Sequence, residues 1–581
     1  MNTNLIDPIA LKNANAWLEG NYDNETKDAI RKMIAESPEE VTESFYRNLE
    51  FGTGGLRGIM GVGTNRMNKY VVAMATQGFA NYAIKSFAGI KPLKAAVAHD
   101  SRNNSRVFAK IVAEVFAANG FEVYLFEDMR PTPELSFAIR HFGCQTGVNI
   151  TASHNPKEYN GYKAYWNDGG QLVAPHDENV IDEVLAIKDI SDVKMTGGED
   201  RIKIIGKEVD EIYIGKIKEL SLNPECIKKH HNLKIVYTPL HGTGAKMVPQ
   251  TMKEVGFTNV ISVPEQSIPD GNFPTTKSPN PEEKAALEMA IALAKKENAD
   301  VVLATDPDAD RVGVAIRTHK NDWMLLNGNQ TAAILTYYLI SQWKANAKLK
   351  GNEYIIKTVV TTELIKDIAG KYNVECFDVL TGFKFIADKI REEEGKKVFI
   401  GGGEESYGFM IGDFVRDKDA VSTCCVVGEI AAWAAEQGKN LNDILIDIYR
   451  EYGFYKEGLI SVTRKGKSGA EEIDEMMRQY RSNPPKTITG FNIVKIIDYK
   501  THESKDLLTG KIERINLPES NVLQFFTENG SKITVRPSGT EPKIKYYFSV
   551  KAELKSKEDF EKVNALLDEK IIAIQKDMKL I

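Results

Sequence analysis

Lys94-Ala-Ala-Val-Ala-His-Asp-Ser-Arg102 reads as a buried strand running into a charged loop. A helical stretch to Asn119 and a second strand, Gly120-Phe-Glu-Val-Tyr-Leu-Phe126, follow it. The same order recurs at Leu233-Lys-Ile-Val-Tyr-Thr-Pro-Leu-His-Gly-Thr-Gly244, with a helix from about Lys246 and a strand at Val260-Ile-Ser-Val263. It appears a third time at Tyr354-Ile-Ile-Lys-Thr-Val-Val-Thr-Thr362, with a helix through Ala369 and the run Glu375-Cys-Phe-Asp-Val-Leu380. Three such units, spaced by about 120 to 140 residues, predict three related α/β domains whose crossovers favour parallel strands. Short strands and two amphipathic helices fill the last part of the chain, one over Ser468–Tyr480 and one from about Ser556 carrying Phe560, Val563, Leu567, Ile571 and Ile574. They predict a fourth, α+β domain. The expected fold class is α/β, in four domains at 1–205, 206–325, 326–455 and 456–581.

A chain of 581 residues, 42% hydrophobic, can bury several cores. Its 75 basic and 81 acidic residues leave a net charge of -6 with no long basic run, which argues against nucleic-acid binding. No apolar stretch approaches the length of a membrane span, and the first residues lack a signal-like apolar core, so a cytoplasmic protein is expected. Cys144, Cys226, Cys376, Cys424 and Cys425 have no Cys-x-x-Cys spacing, and the Cys424-Cys425 pair lies in a small apolar run that suits buried thiols. Near the N-terminus, Ser37-Pro-Glu-Glu40 marks a helix start, followed by Val41, Phe45 and Leu49 at helical spacing.

Chemistry concentrates in a few loops. Gly147-Val-Asn-Ile-Thr-Ala-Ser-His-Asn-Pro156 is a β-branched run that ends on a serine beside a histidine, with a proline that stops helix continuation. Ser153 is the candidate nucleophile, expected on an exposed loop. The strand Val301–Thr305 delivers Asp306-Pro-Asp-Ala-Asp-Arg311, three carboxylates at alternate positions. That placement is costly unless a cation sits among them, and hard oxygen ligands suit Mg²⁺. An EF-hand is excluded, because its required glycine and glutamate are replaced by Arg311 and Arg317. Upstream, Asn280-Pro-Glu-Glu283 predicts an N-cap with proline at the first helical position and a helix to about Glu297.

Phe51-Gly-Thr-Gly-Gly-Leu-Arg-Gly58 places Arg57 where backbone can approach an anion. Leu380-Thr-Gly-Phe-Lys384 and Gly401-Gly-Gly-Glu-Glu-Ser-Tyr-Gly408 follow, the second offering carboxylates and a hydroxyl to a polyol. Thr534-Val-Arg-Pro-Ser-Gly-Thr-Glu-Pro-Lys-Ile-Lys545 gathers guanidinium, hydroxyl, backbone N–H and ammonium donors suited to a phosphate dianion.

Five motifs in order, Thr151-Ala-Ser-His-Asn-Pro156, Gly161-Tyr-Lys163, Asp306-Pro-Asp-Ala-Asp-Arg311, Gly403-Glu-Glu-Ser406 and Arg536-Pro-Ser-Gly-Thr540, resemble the α-D-phosphohexomutase superfamily over essentially the whole chain. Asn160-Gly-Tyr-Lys-Ala-Tyr-Trp166 and Glu541-Pro-Lys-Ile-Lys-Tyr-Tyr547 are similar to the branch with phosphopentomutase-type and glucose-1,6-bisphosphate-synthase-type members.

The resemblance implies a phosphoserine at Ser153 and one Mg²⁺ per active site on Asp306, Asp308, Asp310 and an oxygen at Ser153. It implies conversion of glucose 1-phosphate and glucose 6-phosphate through glucose 1,6-bisphosphate. Arg57, His154 and Lys163 would serve catalysis, with His154 and Lys163 both candidates to move the proton. Arg311, Gly382, Lys384, Glu404, Ser406, Arg536, Ser538, Gly539, Thr540 and Lys545 would bind substrate. Mixed sheets in the three related α/β domains, one central cleft among the four domains, a phosphate-gripping domain that closes over the substrate and a monomer or weak homodimer are also implied. Tyr407-Gly408 stands where phosphomannomutase/phosphoglucomutase members often place Gly-His, which favours glucose. Phosphopentomutase, phosphomannomutase and bisphosphate synthase are the rival enzymes, and a catalytically silent sugar-phosphate sensor is the rival outside enzymes.

Overall fold

The computed structural model describes residues 5–52, 54–464, 466–538 and 543–581. By internal contacts the chain divides into two compact units, Met1–Gly328 with Phe383–Gly438, and Asn329–Gly382 with Lys439–Ile581.

Two sheets lie wholly within the first part of the first unit, residues 1–328. Strands β1 (Gly55–Ile59), β2 (Lys94–His99), β3 (Glu122–Phe126), β4 (Thr146–Ile150), β5 (Tyr159–Trp166) and β6 (Ile202–Ile205) assemble in the order β1-β5-β4-β2-β3-β6. β2 runs parallel to β3 and β4, while β5 is antiparallel to β4 and β1, so the sheet is mixed. β2 and β4 are buried along almost their whole length, as the apolar runs in the sequence require. The helices Lys69–Ser86 and Ser105–Ala118 supply Phe79 and Phe116 to a core shared with Trp17, Phe45, Val148 and Tyr162.

The second sheet contains β7 (Ile235–Thr238), β8 (Val260–Ser262), β9 (Val301–Thr305), β10 (Val312–Arg317) and β11 (Trp323–Leu326), in the order β11-β10-β9-β7-β8. Here β7 is parallel to β8 and β9, and β10 turns back antiparallel to β9, so the aspartate loop is a sharp reversal between two buried strands. The predicted helix after Asn280 begins at Lys284, not at Pro281. The Asn280 side chain accepts from the Glu282 backbone N–H, and Glu282 turns to Arg311, which draws the first residues out of helical geometry.

β12 (Glu353–Thr358) and β13 (Glu375–Val379) form a parallel pair in the second unit, and β14 (Val398–Gly403) and β15 (Phe409–Ile411) an antiparallel pair in the first. The C-terminal strands are β16 (Phe454–Thr463), β17 (Thr487–Ile488), β18 (Phe491–Asp498), β19 (Glu503–Asp506), β20 (Ile512–Arg514), β21 (Leu523–Thr527), β22 (Lys532–Pro537) and β23 (Lys543–Ala552). They follow the order β16-β23-β22-β21-β18-β19-β20, with β17 beside β18. Helices Gly466–Ser482 and Phe560–Asp577 complete this part, the latter burying Leu567, Ile571 and Ile574. The last helix starts later than Ser556 because a 3₁₀ turn, Lys557–Asp559, precedes it. Cys424 and Cys425 are buried free thiols. Among the described residues no helix is long and apolar enough to cross a membrane.

Candidate active site

In the first unit, three loops leave the carboxyl ends of parallel strands and meet, the location where open α/β sheets place ligands. They follow β2 (Asp100–Arg102), β4 (Thr151–Pro156) and β9 (Asp306–Arg311). Ser153 is buried, not exposed as its turn-forming neighbours suggest, because partners distant in sequence enclose it. Its backbone takes the left-handed region, with φ +51, and its N–H donates to Thr151 Oγ1 at 2.8 Å. The hydroxyl donates to Asp306 Oδ2 at 2.7 Å and lies 3.2 Å from His154 Nδ1.

Asp306, Asp308 and Asp310 are buried, each offering an oxygen within 4.8 Å of the others. Asp306 Oδ1 accepts the backbone N–H groups of Asp310 and Arg311 at 3.1 and 3.0 Å. Asp308 Oδ2 accepts from Thr132 Oγ1 at 2.8 Å and from Lys163 Nζ at 2.7 Å, and Asp310 Oδ2 accepts from Lys163 at 2.9 Å. Burial and the charges of Asp308 and Asp310 hold the Asp306 carboxyl well above the usual range. Burial acts the same way on Asp310, but Lys163, Lys418 and Arg311 outweigh it and lower that carboxyl. Burial would depress the Lys163 ammonium, and Asp308 with Asp310 reverse this, so it stays charged. His154 is pushed down to about 2 by burial, then by Arg311 and Arg57, and is neutral.

Asp308 Oδ1 and Asp310 Oδ1 are buried without a hydrogen-bond partner among the described residues, and so is Arg311 Nε. Buried polar atoms are rarely left this way. Two orphan carboxylate oxygens beside a third carboxyl fit a hard divalent cation, and an orphan guanidinium N–H fits an anion.

Arg57, on β1, donates to Asn155 Oδ1 at 3.2 Å, which sets it against the serine loop. Arg311 Nη1 pairs with Glu282 Oε1 at 2.5 Å. The glycine-rich loop joins the aspartate loop through Val312 N–H donating to the Tyr407 carbonyl at 3.0 Å. Glu404 is buried there and pushed up to about 7 by burial, with Lys418 opposing, and Ser406 hydrogen-bonds its carboxyl. A Cβ at Gly408 would stand 2.1 Å from Lys418 Cδ, so glycine is what lets that lysine pass.

Ser153, His154, Lys163, Arg57, Asp306, Asp308, Asp310, Arg311 and Glu404 with Ser406 thus belong to one neighbourhood. Lys384 lies on the helix Phe383–Glu393 and donates to Asp177 Oδ2 at 3.3 Å. Gly382, with φ +120, ends a segment of the second unit. In that unit Arg536 faces Lys545 across β22 and β23, and the Ser538 N–H donates to the Lys543 carbonyl at 2.7 Å. Gly539 and Thr540 lie outside the described residues.

Sequence reasoning missed Lys418, whose Nζ lies 3.2 Å from Asp310 Oδ2 and 3.1 Å from Asp417 Oδ1. It missed Thr132, Glu282 and Arg102 as well. The alternating charges of Arg416-Asp-Lys-Asp419 after an apolar run were the available signal for Lys418.

Comparison with known proteins agrees with this geometry. Residues 48–190, 211–320 and 327–452 match the models of phosphoglucomutase/phosphomannomutase alpha/beta/alpha domains I, II and III. A phosphoglucomutase of Staphylococcus aureus (strain MSSA476) is 38% identical over 563 residues, covering 96% of this chain and 99% of that protein. One from Staphylococcus epidermidis (strain ATCC 12228) is 37% identical over 544 residues, covering 93% and 97%. In fold, the chain is similar to the open form of the Paramecium phosphoprotein pp63/parafusin, with TM-score 0.66 at 16% identity and coverage of 92% and 94%. It is likewise similar to a phosphoglucomutase/phosphomannomutase family protein of Burkholderia thailandensis, with TM-score 0.64 at 18% identity and coverage of 90% and 97%. Three α/β/α domains with mixed sheets, a further stranded C-terminal domain and this sequence identity place the chain in the phosphoglucomutase/phosphomannomutase family.

Proposed function

We propose that the protein interconverts α-D-glucose 1-phosphate and glucose 6-phosphate as a phosphoserine enzyme, with glucose 1,6-bisphosphate as intermediate and activator. The observation that carries this reading is the Ser153 hydroxyl at 2.7 Å from Asp306, inside a buried triad that keeps two unpaired carboxylate oxygens. Asp306, Asp308, Asp310 and an oxygen at Ser153 would hold Mg²⁺, which when bound neutralises charge on a transferring phosphoryl group.

The chain's own residues supply the rest. The sugar's free hydroxyl oxygen bonds to phosphorus as the Ser153 Oγ–P bond breaks, and the hydroxyl proton passes to the protein. After the bisphosphate turns over, Ser153 Oγ bonds to the other phosphorus, its sugar O–P bond breaks, and the sugar oxygen takes a proton. His154 and Lys163 are the candidates to carry that proton, neutral His154 as acceptor by its contact with Oγ and the Lys163 ammonium as donor from its place on Asp308 and Asp310. Arg57, Arg311, Lys163 and Lys418 make the surroundings cationic, which stabilises charge developing on the phosphoryl oxygens.

Glu404 and Ser406, with Gly382 and Lys384, would hold the sugar. Arg536, Ser538, Gly539, Thr540 and Lys545 would grip the phosphate that does not react. The proposal includes four domains at 1–205, 206–325, 326–455 and 456–581, a cytoplasmic location and a monomer or weak homodimer.

The test is a steady-state assay with Mg²⁺ and a trace of glucose 1,6-bisphosphate, offering glucose 1-phosphate, mannose 1-phosphate and ribose 1-phosphate in parallel. Glucose 6-phosphate formation that vanishes in Ser153→Ala supports the reading. Preference for ribose or mannose 1-phosphate replaces it with a phosphopentomutase or a phosphomannomutase, and no turnover of any sugar overturns it.

A further inference from the structure

We propose that Arg102 is the positioning residue of the nucleophile loop, a role that rests on the phosphoserine reading above. Its side chain is fully buried beside Asp100, with Nε 3.2 Å from Asp100 Oδ2. From there one guanidinium collects three backbone carbonyls of the loop that carries the nucleophile and that of Tyr159, the first residue of β5. Nη2 donates to the carbonyls of Ser153 and Asn155, and Nη1 to those of Pro156 and Tyr159 at 2.8 and 3.1 Å. A planar fork of five donors can do this, whereas an ammonium on a flexible stem cannot.

The arrangement has a chemical consequence. Carbonyl oxygens committed to Arg102 cannot turn toward a phosphoryl dianion, which they would repel. Ser153 is held in the left-handed region that an unrestrained serine seldom adopts, with its N–H on Thr151 and its hydroxyl on Asp306. The guanidinium also interacts favourably with Asp306 and Asp308, so the cation that shapes the loop adds positive potential behind the nucleophile.

Arg102 is in turn fixed by the irregular segment between β8 and the helix Lys284–Glu297. The Phe273 ring centroid lies 5.0 Å from its Cζ, a cation–π contact. Gly271 approaches so closely that a Cβ would meet Asn103 N at 2.3 Å, and Asn103 Nδ2 donates to Asn272 Oδ1 at 3.1 Å. The Ser278 hydroxyl donates to the His154 carbonyl at 3.2 Å, so the same segment touches both Arg102 and the loop that it holds.

The experiment mixes dephosphorylated full-length protein with Mg²⁺ and labelled glucose 1,6-bisphosphate and follows labelling of Ser153. In that half-reaction Ser153 Oγ bonds to phosphorus, the sugar O–P bond breaks, and the serine proton ends on the sugar oxygen. For Arg102→Lys we expect the labelling rate to fall about 100-fold, as a misplacement of about 1 Å would cause, while the final amplitude stays at one phosphoryl per chain. Phe273→Leu should slow labelling about threefold, again at full amplitude. A lower amplitude at wild-type rate would mean that Arg102 only keeps a fraction of molecules folded, and would overturn the proposal. Wild-type rate and amplitude in Arg102→Lys would overturn it too, and if that variant does not fold, an unchanged rate in Phe273→Leu does the same. If wild-type protein itself takes no label, the phosphoserine reading fails and the proposal with it.

Discussion

Two groups of buried charge in this molecule look alike in composition and differ in what they leave undone. In the second unit Lys357 and Lys532 lie buried beside the half-buried Glu363 and Asp378 around the turn after β12. Lys532 donates to the carbonyls of Val359 and Thr361 and pairs with Glu363 at 2.5 Å, and Lys357 pairs with Glu363 at 3.0 Å and Asp378 at 2.7 Å. Two cations face two anions, and carbonyls take up further ammonium hydrogens. In the first unit Asp306, Asp308, Asp310 and Asp417 meet Lys163, Lys418 and Arg311, yet Asp308 Oδ1, Asp310 Oδ1 and Arg311 Nε lack partners among the described residues. A balanced cluster fixes a loop; a cluster with unmet acceptors and an unmet donor is reserved for ligands.

Exchanging the consequences of the two clusters would break the comparison. Asp308→Asn should lower kcat by about 10³-fold while leaving the thermal midpoint nearly unchanged, because it removes a carboxylate of the proposed metal site and relieves repulsion. Stripping metal with a chelator should produce a comparable loss, restored by Mg²⁺. Lys532→Met should do the opposite. Removing one of the two cations on Glu363 and taking a donor from the Val359 and Thr361 carbonyls costs about 3 kcal/mol, read as a lower thermal midpoint, with Ser153 labelling kept at the wild-type rate. A large kinetic defect in Lys532→Met, or a large stability defect in Asp308→Asn, would erase the distinction.

A smaller effect sharpens it. Glu404 in the first unit and Glu457 in the second are each pushed up to about 7, Glu404 by burial with the charge of Glu405 and against Lys418 and Arg311, and Glu457 by desolvation against Thr362, Lys532 and Ser549. A raised carboxyl favours the folded state when protonated, so the stability each contributes is full below the unfolded value and is lost as pH rises through 7. If Glu404 accepts sugar hydroxyls as a carboxylate, kcat/KM should rise about tenfold from about pH 6 to about pH 8, and Glu404→Gln should flatten that profile. Glu457→Gln should flatten only the fall of the thermal midpoint over the same range, and a change in its kcat/KM profile would contradict the assignment.

The two clusters also show what was legible in the sequence. Asp306-Pro-Asp-Ala-Asp-Arg311 declared itself because its three carboxylates are neighbours in the chain, and a triad after a buried strand has few uses other than holding a cation. The strand, loop and helix units were legible for a similar reason, since hydrophobic periodicity is local. Arg102 was not, because the carbonyls that give it meaning lie some fifty residues on. Lys532 and Glu363 are as far from a local signal, being separated by 169 residues. The burial of Ser153 and the late start of the helix after Asn280 were misjudged on the same ground, since Asp306 in one case and Arg311 in the other override the local preference. Local chemistry can be read from sequence, whereas partners joined by the fold have to be seen.

The most direct test of the central claim is to locate the phosphoryl group. After incubation with Mg²⁺ and glucose 1,6-bisphosphate, peptide mass spectrometry should find one phosphate, on Ser153, gained about 10³-fold more slowly in Asp308→Asn and in metal-stripped protein. Turnover of glucose 1-phosphate with the phosphate on another residue, or with none on the protein, would contradict the account.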